Sequence, residues 1–406
     1  MKTIAIIDPF WRGHHPTYMK LFSRMLLSQG HQVAAITPNP RELTNSIKGA
    51  EGKQRDFEAF EIQEPIGPPS MTRFQNMNAA LNRWRAVRAA IEKAATSMGR
   101  SPDLVFFAWL DSYVGNHLSR YWIDRHFPYP WSGLYFHPRH LRLGQRFSPI
   151  RKGPLDVDDV LKSDTCRSVA VLDEGIAARL QTKLRKKSVI VFPDVVDDSP
   201  ADPHYEVVDQ IGRFANGRKK IGIIGGLTKR KGLLPLMKIA KNTPHEDWLY
   251  IFAGCLVKST FSDSELATID AFVKNPPPNC FFYFSYIPNE PQFNALVKTC
   301  DLLYAVYDDF PHSSNILGKA ALFNKPVIVA NGFCMGERVK NFHLGLQVDA
   351  ADVPKTIESI RSLLNDADGT APERKPDFDG YRTRHSLSRL SAAFSELIEL
   401  SVKKTI

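Results

Sequence analysis

Hydrophobic positions along this chain come in short unbroken runs, each followed by a polar or Gly-containing loop and then by apolar residues at helical spacing. A run too apolar to alternate reads as a strand buried on both faces, and strand–helix–strand succession implies a parallel sheet. The chain opens with TIAIID, the loop PFWRGHHPTY, the helical stretch MKLFSRMLLSQG and the strand HQVAAITP. A proline-rich loop over 58–70, a helix over 78–98, and strands over 103–107 and 131–136 follow, then strand 168–172, helix 174–184 and strand 188–192. Pro193 stops the last strand, and the polar text over 198–218 reads as a link. KKIGIIGGLTKRKGLLPLMKIA begins a second succession of the same kind, continued by strand WLYIFAG, a helix over 261–274, strand CFFYFSYI and a helix over 290–299. Apolar runs at 302–306 and 326–330 then bracket a helix that opens at Ser313, Ser314 and Asn315. The last helix, over 386–402, carries a stripe of Leu387, Leu390, Phe394, Leu397 and Ile398, expected to be core rather than a membrane or partner surface.

With 406 residues the chain exceeds one ordinary core. The pattern divides it into a Rossmann-like α/β domain over 1–197, a linker over 198–218, a second Rossmann-like domain over 219–375 and a terminal helical segment over 376–406. The expected fold class is therefore α/β, with two such domains across a cleft. No apolar run approaches the roughly 18 residues of a membrane span, and the run after Lys2 is too short for a signal peptide, so a cytoplasmic protein is expected. Five cysteines without a CxxC pair argue against a disulfide framework or zinc knuckle. A net charge of +10 favours anionic partners such as nucleotide phosphates or anionic lipid at a membrane face. Basic residues cluster over 139–151, 183–187 and 219–231, yet no nucleic-acid-binding motif accompanies them.

Loops at the carboxyl ends of parallel strands are where candidate chemistry is sought. Gly13, His14 and His15 follow the first strand, either as a binding loop or as a structural turn; adjacent histidines diverge, so they do not suggest a metal site. Asp111 lies past one strand, and His137 follows another, either towards the cleft or bonded within its loop. Gly225 and Gly226 permit close backbone approach, and Lys231 can place its ammonium on a phosphate. The helix at Ser314 and Asn315 presents unpaired amides, which suit either an ordinary cap or a bound anion. Acidic DxD triplets at 156–158, 366–368 and 377–379 read as surface.

Several segments together resemble the GT-B glycosyltransferases, most of all the family 4 group of retaining enzymes. PDVVD is similar to the family's PNGVD, GGLTKRKG to its GRLxxxKG loop, and SYIPNEPQFNALVKTCDLLYAVY to its Gly-Tyr-Val-Pro segment with the helix and strand that follow. SSNILGKAALFNKPVIVA resembles SNxLLEAxAxGxPVIA in register, and GERVKNFHLGLQV resembles PExVxxGxxGLLV. The resemblance implies a nucleotide-sugar donor on the second domain, a saccharide or glycolipid acceptor on the first, a terminal helix crossing back onto the first domain, and polysaccharide or glycoconjugate synthesis. It implies donor contacts from Gly13, His14, Gly225, Lys231, Ser314, Asn315 and Glu337, with His137 near the reacting sugar, and no metal or other cofactor. At the two glutamates of the EX7E motif this chain has Pro311 and Lys319, and Gly226 replaces the loop's arginine. Two readings follow: a glycosyltransferase with altered donor recognition, in which Lys319 faces a phosphate or a carboxylated sugar of the donor or pairs with Asp308 or Asp309, or a GT-B protein that has lost transfer and serves as a binding or partner subunit.

Overall fold

The computed structural model describes residues 1–48, 56–64, 73–115, 117–143, 156–365 and 375–402. Two compact units make up the chain, one from Met1–Pro193 with Leu387–Ile406, the other Asp194–Ser386. The loop EPIGPPS lies largely outside the described residues, as do the triplet at 366–368 and part of the basic cluster at 139–151.

The first unit is a parallel sheet of β1 (Thr3–Ile7), β2 (Gln32–Thr37), β3 (Phe57–Glu61), β4 (Leu104–Phe107), β5 (Trp131–Tyr135), β6 (Ser168–Val171) and β7 (Ser188–Val191), in the order β3-β2-β1-β4-β5-β6-β7. Ile4 pairs in register with Val33 on one side and Leu104 on the other. Every residue of β1 and β4 is buried, as unbroken apolar runs require. Edge strand β3 lies partly within the stretch expected to be a proline-rich loop. Of its residues, FEAFE, only Phe60 is buried, and both glutamates are exposed, as suits a strand at the sheet's edge. Trp84, from the long helix Arg73–Met98, packs edge-to-face on Phe107, Phe127 and Trp131, and its indole N–H donates to the Tyr113 carbonyl at 3.1 Å.

On the opposite face Phe22, Phe106 and Phe192 receive Phe394 of the C-terminal helix Leu387–Val402. That helix thus packs back on the first unit, fixed at its ends by Gln29 Nε2 donating to the Ser391 carbonyl (2.8 Å) and by the Ser168–Ser401 hydroxyl pair (2.9 Å). Leu390, Phe394, Leu397 and Ile398 are buried, whereas Leu387, at the first position of the stripe, is exposed.

The second unit contains β8 (Lys219–Ile224), β9 (Trp248–Ala253), β10 (Cys280–Tyr283), β11 (Leu302–Ala305), β12 (Val327–Ala330) and β13 (Gly345–Val348), all parallel, in the order β10-β9-β8-β11-β12-β13. Residues 198–218 are more than a link: they include the helix Glu206–Ala215, whose Val207, Ile211 and Ala215 enter this unit's core. Their apolar spacing is masked by the surrounding charge, so the polar composition misleads. The short helix Phe378–Arg384 also belongs to this unit, with Tyr381 buried in its core. Asp158 is fully buried, accepting from His140 (2.9 Å) and Lys183 (2.5 Å), so the triplet at 156–158 is not simple surface. All five cysteines are free. Among the described residues no helix is long and apolar enough to cross a membrane.

Strand order reverses direction between β1 and β4 in the first unit and between β8 and β11 in the second. At such a switch point the flanking loops diverge and leave a crevice beyond the strand ends, where open α/β sheets bind ligands.

Candidate functional site

In the second unit, close-packed glycines tie the ends of β8 and β9, and a backbone bond ties the loops after β8 and β11. Gly225 adopts a φ of +102°, and a Cβ built there would lie 3.3 Å from the Lys231 Nζ, so the ammonium folds back over the glycine. Gly254, at the end of β9, approaches so closely that its Cβ would stand 2.0 Å from the Gly225 carbonyl oxygen. The Asp308 N–H donates to the Arg230 carbonyl at 2.8 Å, joining the two loops across the switch point. The Arg230 guanidinium sits 4.1 Å from the Phe310 ring centre, and the Lys231 ammonium lies 5.6 Å from that of Tyr307. Lys229 pairs with Glu265 at 2.6 Å, whereas among the described residues no carboxylate pairs with Lys231.

Ser314 occupies the N-cap of the helix Asn315–Leu322 in an extended conformation, but its side chain accepts no backbone N–H. The leading amides are therefore left without a side-chain cap. Asn315 is exposed at this end. Glu337 belongs to the neighbouring loop system, on the exposed side of the helix Phe333–Phe342 after β12. Its neighbour Arg338 turns inward, 3.6 Å from the buried Asp194 carboxylate. The Asp194 N–H donates to His385 Nδ1 (3.0 Å), and burial, helped by Arg338 and Arg384, pulls that imidazole down to about 2, keeping it neutral.

Lys319 does not join this group. Its side chain is 1% exposed, and its ammonium donates to the Asp197 carbonyl (2.6 Å), Glu290 Oε2 (2.7 Å) and Asn294 Oδ1 (2.7 Å). An ammonium has three donors, and all three are committed to protein. The donor contact expected of Lys319 is corrected accordingly: the residue fastens the segment at Asp197 to two helices. Gly318 beside it allows the approach, since a Cβ there would lie 2.4 Å from Val196.

The first unit's switch point gathers a second set. Gly13 has a φ of +59°, and His14 is exposed at the N-cap of the helix His15–Ser28, making no side-chain cap bond. The ordered histidine is His15, whose Nδ1 lies 2.8 Å from Oδ2 of Asp8, a fully buried carboxylate just past β1. The His15 ring is held 4.1 Å from the Trp109 ring, which stacks on Phe136 at 3.9 Å. Asp111 accepts the N–H groups of Phe136 (2.8 Å) and His137 (2.7 Å), while the His137 imidazole is exposed, its Nδ1 3.9 Å from Asp111. The structure thus brings Gly13, His14 and His137 to one strand-end region, and adds Asp8, His15 and Trp109. The sequence signal for Asp8 is an aspartate directly after a wholly buried strand; nothing in a His-His pair says which ring turns inward.

Burial pushes the Asp111 carboxyl up to about 6, opposed by its two backbone donors and by His15. Its folded value stands above the unfolded one, so the folded state holds the proton more tightly, and the group's contribution to stability falls as pH rises from about 4 through 6. Carbon-detected NMR of the Asp111 carboxyl is expected to show a midpoint near 6, and an ordinary midpoint near 4 would contradict this environment.

Two parallel-sheet α/β units, each with its crevice at a strand-order reversal, match the GT-B fold of glycosyltransferases over nearly the whole chain. Sucrose-phosphate synthase from Thermosynechococcus elongatus superposes with a TM-score of 0.68 at 14% identity, covering 98% of each chain. Anabaena HepE in complex with UDP-glucose gives 0.64 at 12% identity over 98% of this chain and all of the other (100%). WaaG, a glycosyltransferase of lipopolysaccharide biosynthesis, gives 0.58 at 12% identity over 99% and 100%. No family model and no curated protein matches the sequence. At such identities the likeness shows the fold alone.

Proposed function

We propose that this protein is a glycosyltransferase that moves a sugar from a nucleotide-diphosphate donor to a saccharide or glycolipid acceptor in polysaccharide or glycoconjugate synthesis. The observation that carries the reading is the Lys231 ammonium folded over Gly225 at the β8/β11 switch point, where the chain after β11 leads to a helix start with no side-chain cap. A leaving diphosphate needs its developing charge stabilised, and fixed cations with oriented amides supply this without a metal. Binding of UDP-glucose by HepE supports a nucleotide-sugar donor. Gly13 and His14 in the first unit, and Glu337 in the second, complete the proposed donor contacts, and the net charge of +10 suits an acceptor carried on an anionic membrane face.

Calorimetric titration with UDP, GDP and ADP tests this: one of them is expected to bind, equally well in the presence of EDTA. Failure of all three would remove the reading. The second reading, a transfer-inactive binding subunit, is favoured by Pro311 and by the commitment of Lys319, which leave both motif carboxylates missing. It predicts nucleotide binding without turnover. The retaining course implied by the resemblance has no carboxylate at either position to support it.

A further inference from the structure

Donor binding makes no use of the opposite end of the second unit's sheet, where positive charge collects. Two adjoining cavities, of roughly 630 and 1090 Å³, run along the amino ends of β8, β11, β12 and β13 and share Asp301 and Lys325 in their lining. Four neighbouring strands about 4.8 Å apart make a groove roughly 14 Å long. Within it Lys220 pairs with Asp301 at 3.1 Å, and Arg382 with Asp379. Lys219, Lys298, Lys325, Lys340, Lys375 and Arg213 have no ion-pair partner among the described residues, against only Asp209 and Asp377 on the acidic side. The helices Glu290–Thr299, Asn315–Leu322 and Phe333–Phe342 end at this edge, and their carboxyl ends, at about half a negative charge each, offset only part of that excess. Lys325 is half-buried, and burial pulls its ammonium below the ordinary lysine range, with Asp301 opposing and Lys220 and Lys298 adding to the effect. A partly desolvated ammonium among like charges is stabilised by an anion brought from outside.

The rest of the lining bears on what carries that anion. In the wider cavity Pro326, Leu346 and Phe378 add apolar surface. Asn324 and Gln347 have their amide oxygens engaged by Arg382 and by the Gly332 N–H (3.2 Å), which leaves their amide N–H groups as donors. A bare polyphosphate gains nothing from apolar surface, whereas a sugar ring turns C–H faces to it and hydroxyl oxygens to the donors. We propose that this groove binds an acidic polysaccharide, a chain of sugar rings bearing carboxylates, apart from the donor loops. β8 runs from Lys219 to Ile224, so the groove lies about 20 Å from Gly225 along the strand, and no bond is made or broken in it. The proposal rests on the glycosyl-transfer reading only for the presence of a saccharide chain, and its test needs no donor.

The test titrates the full chain by calorimetry with an oligogalacturonate, and with dextran, polyglutamate and oligothymidylate of similar length as comparisons. Oligogalacturonate is expected to bind tightest, and more weakly as salt is raised. Lys325→Gln is expected to weaken it about tenfold or more, and Lys298→Ala, a change at an exposed position, about threefold, both with an unaltered Tm; Lys231→Ala leaves it unchanged. Equal binding of dextran, tighter binding of polyglutamate or oligothymidylate, or affinities within about twofold of the unaltered protein for both Lys325→Gln and Lys298→Ala each overturn the proposal. Loss of oligogalacturonate binding in Lys231→Ala would move the chain to the donor loops and overturn it too. Oligogalacturonate binding by a protein that takes up no nucleotide keeps the groove and removes the donor reading, whereas nucleotide binding without oligogalacturonate binding does the reverse.

Discussion

Lys319→Met is expected to destabilise the second unit by about 3 kcal/mol, without a selective loss of nucleotide affinity below the melting transition. Removing the ammonium leaves the buried Asn294 Oδ1 without a donor, at roughly 1–3 kcal/mol for a buried unsatisfied group, and breaks the bond to the carbonyl of the exposed Asp197, at about 0.5–1.5 kcal/mol net. Glu290 is half exposed and recovers hydration, so its share is small. In a unit of this size such a loss corresponds to a fall of about 6–12 °C in Tm. Lys319→Glu, which restores the residue of the EX7E motif, is expected to do worse, because three acceptors would then surround a fourth. Thermal unfolding followed by circular dichroism, with nucleotide titration at low temperature, separates packing from recognition. An unchanged Tm together with altered nucleotide preference would return Lys319 to the donor site.

Lys231→Ala is expected to weaken diphosphate binding by roughly 1.5–3 kcal/mol, the scale of a charge-assisted hydrogen bond, or about 10–150-fold in Kd. Lys231 lacks a carboxylate partner among the described residues, so its removal leaves no orphaned charge and Tm should stay close to that of the unaltered protein. Lys229→Ala serves as the comparison, since Lys229 is already paired with Glu265 on the surface; a few-fold change at most is expected. Calorimetry with the tightest of UDP, GDP and ADP reads both. Equal affinities for the unaltered protein and Lys231→Ala would mean that the phosphate lies elsewhere.

Much of the architecture was legible in the linear pattern. Runs such as TIAII, LVFF and WLYIFA are apolar without alternation, and a strand buried on both faces in a parallel sheet is the structure that satisfies them. Gly225 and Lys231 could be placed at a strand-end loop because glycine pairs and a following helix mark such loops. Two elements misled. The helix Glu206–Ala215 is embedded in charge, and strand Phe57–Glu61 runs into a proline-rich segment, so local composition outweighed spacing in both.

By itself, then, the sequence determined two α/β units and the loops at their strand ends, because burial periodicity and turn chemistry are local. Tertiary structure decided what each polar side chain does there, because partners arrive from distant segments. Lys319 meets Asp197 across 122 positions of sequence, which no helix pattern around it could indicate. His15 rather than His14 turns onto Asp8, since only the folded helix start fixes which ring faces the buried carboxylate. A charge is assigned by its partners, and partners are a property of the fold.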